Sequence, residues 1–274
     1  MRLVSFDVFR TLGFDNTLQL KPNHFFAHKA AIQMADWVLF PEYWQVNALV
    51  YGLKSRIFPS QASYLIGHNK IEMTRAFEAV VPGNIPVTHI APNTPTEVER
   101  IWALMDLPFV AKQPKASMGE GVWLIESRSD WLAYVSRSDV IYVQEYLPID
   151  RDIRVVVIGD QVVSAYWRCQ SDRSFHNNVA RGGKLDFSPV PQAALDLALK
   201  VAGQLNVDHA GFDIAMVGDH PYLLEFNRLF GNQGIVGGSE TLRHAILSYL
   251  QKQIQPMLDP DKPRNPEPLW PRAV

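Results

Sequence analysis

The chain is poor in several things that would define a function class by themselves. It has one cysteine, Cys169, in 274 residues, so neither an intrachain disulfide nor a multi-cysteine metal site is available, and this usage suits a reducing compartment. It has no long apolar run: stretches such as Trp37–Phe40 and Val155–Ile158 fall far short of the roughly 20 residues a bilayer demands. The opening MRLVSFDVFRTLG has no apolar core followed by small residues and is not read as a signal peptide. Charge of one sign is not in excess, since 26 Lys+Arg stand against 28 Asp+Glu, which gives no electrostatic ground for a nucleic-acid partner. Repeats and low-complexity tracts are missing as well. What is present, 47% hydrophobic and 20% charged residues, is ordinary globular composition and excludes disorder, collagen and coiled coil. The expectation is a soluble, cytoplasmic α/β protein of one large or two moderate domains, without membrane or nucleic acid as partner.

Along the first sixty residues short apolar runs alternate with helical patterns. Arg2–Phe9, Trp37–Phe40 and Arg56–Phe58 read as strands, with helical spacing in His24–Met34 and Gln45–Leu53 between them. That order implies a small parallel sheet. No G-x-G-x-x-G follows the first strand, so a dinucleotide site is not expected there. From Asn69 the pattern changes. Helices are expected at Lys70–Val80, from Thr94-Pro95 to about Met105, at Pro191–Leu205 and at Leu242–Ile254. Strands are expected at Pro108–Lys112, Gly121–Glu126, Val140–Gln144, Arg154–Ile158, Gln161–Arg168, Phe212–Val217 and Pro221–Phe226. This second unit reads as antiparallel α+β, and the chain closes on a proline-rich tail.

Four segments carry candidate chemistry. Lys112 ends a strand and precedes Lys115–Gly121, a small-residue turn whose amides can face phosphates. It is no P-loop, because a strand follows where a helix belongs. Gln144-Glu145-Tyr146 is an extended segment able to offer a carbonyl and an amide to a purine edge. Asp152, Arg154 and Arg168 are gathered at one end of a hairpin turning at Gly159-Asp160, and a polar loop, Phe175–Gly183, follows. Asp213 and Glu225 are returned together by the next hairpin, with Asn227 on the side of Glu225. Three hard oxygen donors without His or Cys suit Mg2+ rather than zinc. Each segment alone also has a plain reading as a solvated strand end.

In this order the segments resemble the ATP-grasp superfamily, and most closely its RimK-like branch of ATP-dependent glutamate ligases. The stretches that carry the resemblance are HNKIEMTRAF, PFVAKQPKASMGEGVWLIES, VQEYLPIDRDIRVVVIGDQVVSAY, NNVARGG and AGFDIAMVGDHPYLLEFN, five collinear matches over about Asn69–Ile235. The resemblance implies an ATP-grasp fold of two α+β subdomains closing on ATP. Its expected bounds are a leading α/β domain over 1–66, the ATP-grasp domain over 67–258 with its flap subdomain at about 109–142, and the tail over 259–274. It implies that Lys70 and Lys112 hold phosphates and that the flap containing Ser117, Gly119 and Gly121 covers them. By the same likeness Glu145 and Tyr146 meet adenine, Asp152 lies near the ribose, and His176, Asn177 and Asn178 line the nucleotide. Arg154, Arg181 and Asn178 are implied to face the phosphate and acyl groups, and Asp213, Glu225 and Asn227 to bind Mg2+, two ions, with Mn2+ as a substitute. The chain departs from the family at His176, where an arginine is usual, and at Arg228-Leu229-Phe230, where small residues and proline are usual.

The implied activity is ADP-forming amide synthesis between a carboxylate-bearing acceptor and an amino acid, glutamate in the nearest branch, through an acyl phosphate. A ligase for another amino acid or a peptide, and an ATP sensor without ligation, are the alternatives. A homo-oligomer is compatible with the sequence.

Overall fold

The structure is a computed structural model and describes residues 1–114, 121–169 and 184–254. Three sheets are built in chain order. The first joins β1 (Leu3–Ser5), β2 (Thr17–Gln19), β3 (Trp37–Leu39) and β4 (Ile57–Phe58) in the order β2-β1-β3-β4, all parallel. Helix α1 (Lys29–Gln33) lies between β2 and β3, and α2 (Gln61–Ile66) follows β4. Leu3, Val4, Val38 and Leu39 are buried, as parallel strands covered on both faces require. The expected first strand, Arg2–Phe9, is shorter than its apolar pattern. After Ser5 the chain turns, and Thr11 Oγ1 donates to the Asp7 carbonyl at 2.7 Å, so local side-chain bonds replace ladder bonds. Edge strand β2 has no apolar signature and was not expected.

The second sheet has the order β5-β8-β6-β7, made of β5 (Thr88–Pro92), β6 (Phe109–Lys112), β7 (Val122–Ile125) and β8 (Val140–Glu145), all antiparallel. Helices α4 (Pro95–Leu104) and α5 (Arg128–Val135) cover one face. Their N-termini are set by Thr94, which accepts from the Glu97 amide, and Ser127, which accepts from the Asp130 amide. Val98, Ile101, Trp131 and Tyr134 bury that face with Phe109, Ala111, Ile141 and Val143. The opposite face carries Val110, Lys112, Tyr142 and Gln144 by the alternation of strand side chains.

The third sheet, β11-β10-β9-β12-β13, comprises β9 (Arg151–Ile158), β10 (Gln161–Cys169), β11 (Lys184–Asp186), β12 (His209–Val217) and β13 (His220–Asn227). Two helices, α3 (Lys70–Val80) and α6 (Gln192–Leu205), share one core with it, formed by residues such as Phe77, Ile153, Val155, Val201, Phe212 and Phe226. Helix α7 (Gly238–Ile254) packs on the other side, where Leu242, Ile246 and Leu250 meet Val156 and Ile158 of β9 and Leu3, Leu39 and Phe58 of the first sheet. Among the described residues no helix is long and apolar enough to cross a membrane.

Two irregularities position the candidate site side chains. From the Gly218-Asp219 turn, β12 and β13 pair Val217 with His220 and Ile214 with Leu223, but then Asp213 with Glu225. A strict register would set Leu224 opposite Asp213 and turn Glu225 to the core face. One extra residue on β13 prevents this. The β9–β10 hairpin does the same: Val157 pairs with Val162 but Val156 with Ser164, which brings Arg168 opposite Asp152.

Candidate active site

The site lies where the uncovered face of the second sheet meets the end of the third. Lys70 opens α3, its helix capped by the Asn69 side chain on the Ile71 amide, and its ammonium stands 3.4 Å from Glu225 Oε2. Lys112, at the end of β6, donates to Gln144 Oε1 on the neighbouring β8. It is not the exposed strand-end lysine that the sequence pattern allows. Burial lowers the Lys112 ammonium to about 8, against Glu225, which raises it, and with Lys70, which lowers it further.

Across the cleft, Arg154 Nε donates to Asp213 Oδ1 at 2.6 Å and its Nη2 to Oδ2 at 3.2 Å. Arg168 pairs with both Asp152 oxygens at 2.7 and 2.8 Å and reaches Asp213 Oδ2 at 3.0 Å. Gly211 lets this happen, because a Cβ there would lie 2.8 Å from Arg154 Nη1 and 2.9 Å from its Cδ. Burial pushes the Asp152 carboxyl up, opposed by Arg168. Burial would lower the Arg168 guanidinium, but Asp213 and Asp152 more than reverse it. Burial also works against a charged Glu225, yet Lys70 and Lys112 hold it below the usual carboxylate range. Asn227 Nδ2 donates to Glu225 Oε1 at 3.3 Å.

The structure thus brings together Lys70, Lys112, Arg154, Asp152, Asp213, Glu225 and Asn227. Glu145 and Tyr146 stand at the end of β8. The Glu145 carboxylate accepts the Val87 amide at 2.8 Å, and its amide donates to the Val87 carbonyl. Gly121, just before β7, has φ 74°, a left-handed value suited to glycine. Ser117, Gly119, His176, Asn177, Asn178, Arg181 and the tail 259–274 lie outside the described residues. Gln144 was singled out in the sequence only for its backbone, within Gln144-Glu145-Tyr146, and its side-chain contacts were missed. It is buried and binds Lys112 and, through Nε2, Thr88 Oγ1 at 2.9 Å.

As a donor set, Asp213, Glu225 and Asn227 give hard oxygens. Among the described residues no group of three or more His, Cys, Asp and Glu is placed to hold a metal. Two carboxylates and a carboxamide nevertheless fit Mg2+, which keeps several waters and takes the remainder of its shell from phosphates. Zinc is not matched by such a set.

Two antiparallel sheets that meet with Lys112 on one side, and Lys70, the acids and the arginines on the other, form the arrangement of ATP-grasp proteins. The chain belongs to the RimK-like ATP-grasp domain family, which it matches over residues 74–246. It is 33% identical over 158 residues to the ribosomal protein bS6–L-glutamate ligase of Salmonella paratyphi B, covering 56% of this chain and 53% of that one. It therefore spans about half the length of that relative. Among solved structures it is similar to a RimK domain ATP-grasp protein from Sphaerobacter thermophilus, with a TM-score of 0.69 at 14% identity, over 91% of this chain and 99% of the other. D-alanine–D-alanine ligase from Bacillus anthracis follows the same fold, with a TM-score of 0.67 at 11% identity, over 93% and 99% of the two chains.

Proposed function

We propose that the protein is an ATP-dependent, ADP-forming carboxylate–amine ligase that adds an amino acid, glutamate, to a carboxylate-bearing protein, peptide or small molecule. The observation that carries this reading is the convergence of Lys70 and Lys112 on Glu225 beside Asp213, in a chain of this family. The two lysines bind the phosphates of ATP, with Glu145 and Tyr146 at its purine edge and Asp152 on the ribose side. A carboxylate oxygen of the acceptor attacks the γ-phosphorus, the bond to the β-phosphate oxygen breaks, and ADP leaves. The amine lone pair then attacks the acyl carbon, inorganic phosphate departs, and the nitrogen loses a proton. Arg154 is held at the phosphoryl end by Asp213, with Arg181 and Asn178 assigned beside it. Ser117, Gly119 and Gly121 belong to the covering flap, and His176 and Asn177 to the nucleotide wall. Asp213, Glu225 and Asn227 would hold Mg2+, which when bound offsets charge on the transferring phosphoryl group.

The mechanism uses no side-chain nucleophile: serines that meet a carboxylate, such as Ser127 with Asp130 and Ser188 with Asp186, do so as a helix cap or within a turn, and the activated species in this reading is an acyl phosphate held noncovalently. The test is a substrate carboxylate labelled with heavy oxygen. One labelled atom is expected in inorganic phosphate for each amide formed, with ADP in step. Release of AMP and pyrophosphate, or unlabelled phosphate beside labelled amide, would overturn the mechanism. An ATP sensor gives neither product.

A further inference from the structure

The C-terminal edge of a parallel sheet is where open α/β folds receive ligands. In this chain that edge faces the end of β13. Arg228 directly follows Asn227, and its guanidinium carbon lies 4.4 Å from the centre of the Tyr64 ring in α2, the helix after the first sheet's last strand. Lys70, Arg154, Arg168 and Arg10 each meet a carboxylate. Among the described residues Arg228 meets none. Arg10, in the turn after β1, reaches the same corner: its Nη1 lies 3.5 Å from the Phe230 carbonyl and its guanidinium 6.0 Å from the centre of the Phe40 ring. Asp7 is its partner at 3.4 Å, so the corner holds two cations and one paired carboxylate.

The corner is rigid. Phe230 stacks on His209 at 4.8 Å, and His209 Nδ1 donates to the Arg228 carbonyl at 2.6 Å. Phe40 sits edge-on to the same imidazole at φ 47°, a backbone conformation that costs energy in a bulky residue and clusters at ligand sites. Burial holds His209 down to about 3, so it is neutral and adds no charge of its own. Burial lowers the Arg10 guanidinium, Asp7 opposes that, and the nearby Arg228 adds to it, so an arriving anion meets like charge that it can offset.

We propose that Arg228, with Arg10 beside it, forms a carboxylate-binding subsite at the edge of the first sheet, which holds a substrate carboxylate that is not itself phosphorylated. The planar fork of a guanidinium fits a carboxylate through two parallel hydrogen bonds. Arg228 follows Asn227 directly in the chain, so the backbone that carries it runs on from the strand of the proposed metal set. Naming it a substrate carboxylate rests on the ligase reading; the anion site itself does not. Its source is either the incoming amino acid or the acceptor.

The test titrates the protein, saturated with a non-hydrolysable ATP analogue and Mg2+, with four probes: L-glutamate, its α-amide, an N-acetylated dipeptide ending in glutamate, and the amide of that dipeptide. At least one carboxylate probe is expected to bind about tenfold or more tightly than its amide. Arg228→Met removes the preference, Arg228→Lys keeps part of it, and both bind the nucleotide analogue as the native protein does. Preference for free glutamate assigns the subsite to the amine substrate, and preference for the dipeptide assigns it to the acceptor. No preference with either pair, or a preference that survives both substitutions, overturns the subsite. Should Arg228→Met fail to fold, Arg228→Lys decides, because losing the fork is expected to cost several-fold. Carboxylate preference without ADP release leaves the subsite standing and defeats the ligase reading. Amide formation with an Arg228→Lys enzyme of unchanged KM for both substrates does the reverse.

Discussion

At the scale of the residue, Lys112 is where folding and binding oppose each other most. Its ammonium is half-buried with a glutamine for its only hydrogen-bond partner among the described residues, and burial lowers it to about 8. Between about 8 and the ordinary lysine value the unfolded chain binds more protons than the folded one, so the contribution of Lys112 to stability rises with pH across that window. Below it both states are charged and the burial cost is constant. Lys112→Met is therefore expected to raise the melting temperature of the ligand-free protein near neutrality and to abolish that rise. Affinity for the ATP analogue runs the other way and falls as pH climbs past about 8, because a neutral amine offers phosphates no charge. A dissociation constant that stays flat from about pH 7 to about pH 9.5 would remove Lys112 from the phosphate site. Glu225 is the complementary case, a carboxylate kept ionised by two lysines. Glu225→Gln removes one anionic oxygen from the proposed metal set, and turnover is expected to fall roughly a hundredfold or more. Turnover within twofold of the native enzyme would contradict the assignment.

At the scale of the element, two antiparallel hairpins were legible from apolar runs and Gly-Asp turns, and so was helix α3, from Lys70 to Val80. The bulges were not. Period-two alternation counted back from Gly218-Asp219 places Glu225 in the core, and only the extra residue near Leu224 returns it to Asp213. The residue types, two acids and an asparagine near strand ends, pointed to a shared polar end because such groups resist burial in a core, and Asp213 does stand opposite Glu225. Their exact facing was a tertiary outcome. Strands β2, β5 and β11 and helix α5 went unread because each is short or owes its place to neighbours rather than to its own pattern. The lysine pairing with Gln144 was equally hidden, since strand neighbours are set by sheet order. Gly211 shows the same dependence from the other side. It has no polar atom beyond its backbone, yet it leaves room for Arg154 to cross β12. Gly211→Ala is expected to push Arg154 off Asp213 and lower turnover by roughly ten- to a hundredfold, with a melting temperature close to native. An unchanged rate would show that Arg154 does not need that path.

At the scale of the whole molecule, the sequence divides readily at about residue 66, but the packing does not. Val156 and Ile158 from the third sheet, Phe230 and Ile235 from the loop after it, and Leu242, Ile246 and Leu250 from α7 are all buried in one cluster with Leu3, Trp37, Leu39 and Phe58. Asp208 ties the same seam. Its carboxylate accepts the Ser60 amide at 2.7 Å, and burial raises it to about 6. The first sheet is therefore both one wall of the proposed substrate crevice and the cover for one face of the catalytic sheet. Each large apolar side chain stripped of its cover costs about 1.5–3 kcal/mol, and several lost together approach the whole stability of a domain, about 5–15 kcal/mol. A fragment spanning residues 67–258 carries the lysines, the acids and Arg154 but lacks that cover. It is expected to lose its cooperative thermal transition and to bind a hydrophobic dye, while the full chain melts in one step with little dye bound. A fragment that melts cooperatively and binds the ATP analogue with native affinity would show that the two units fold independently, and that the first sheet serves the site alone.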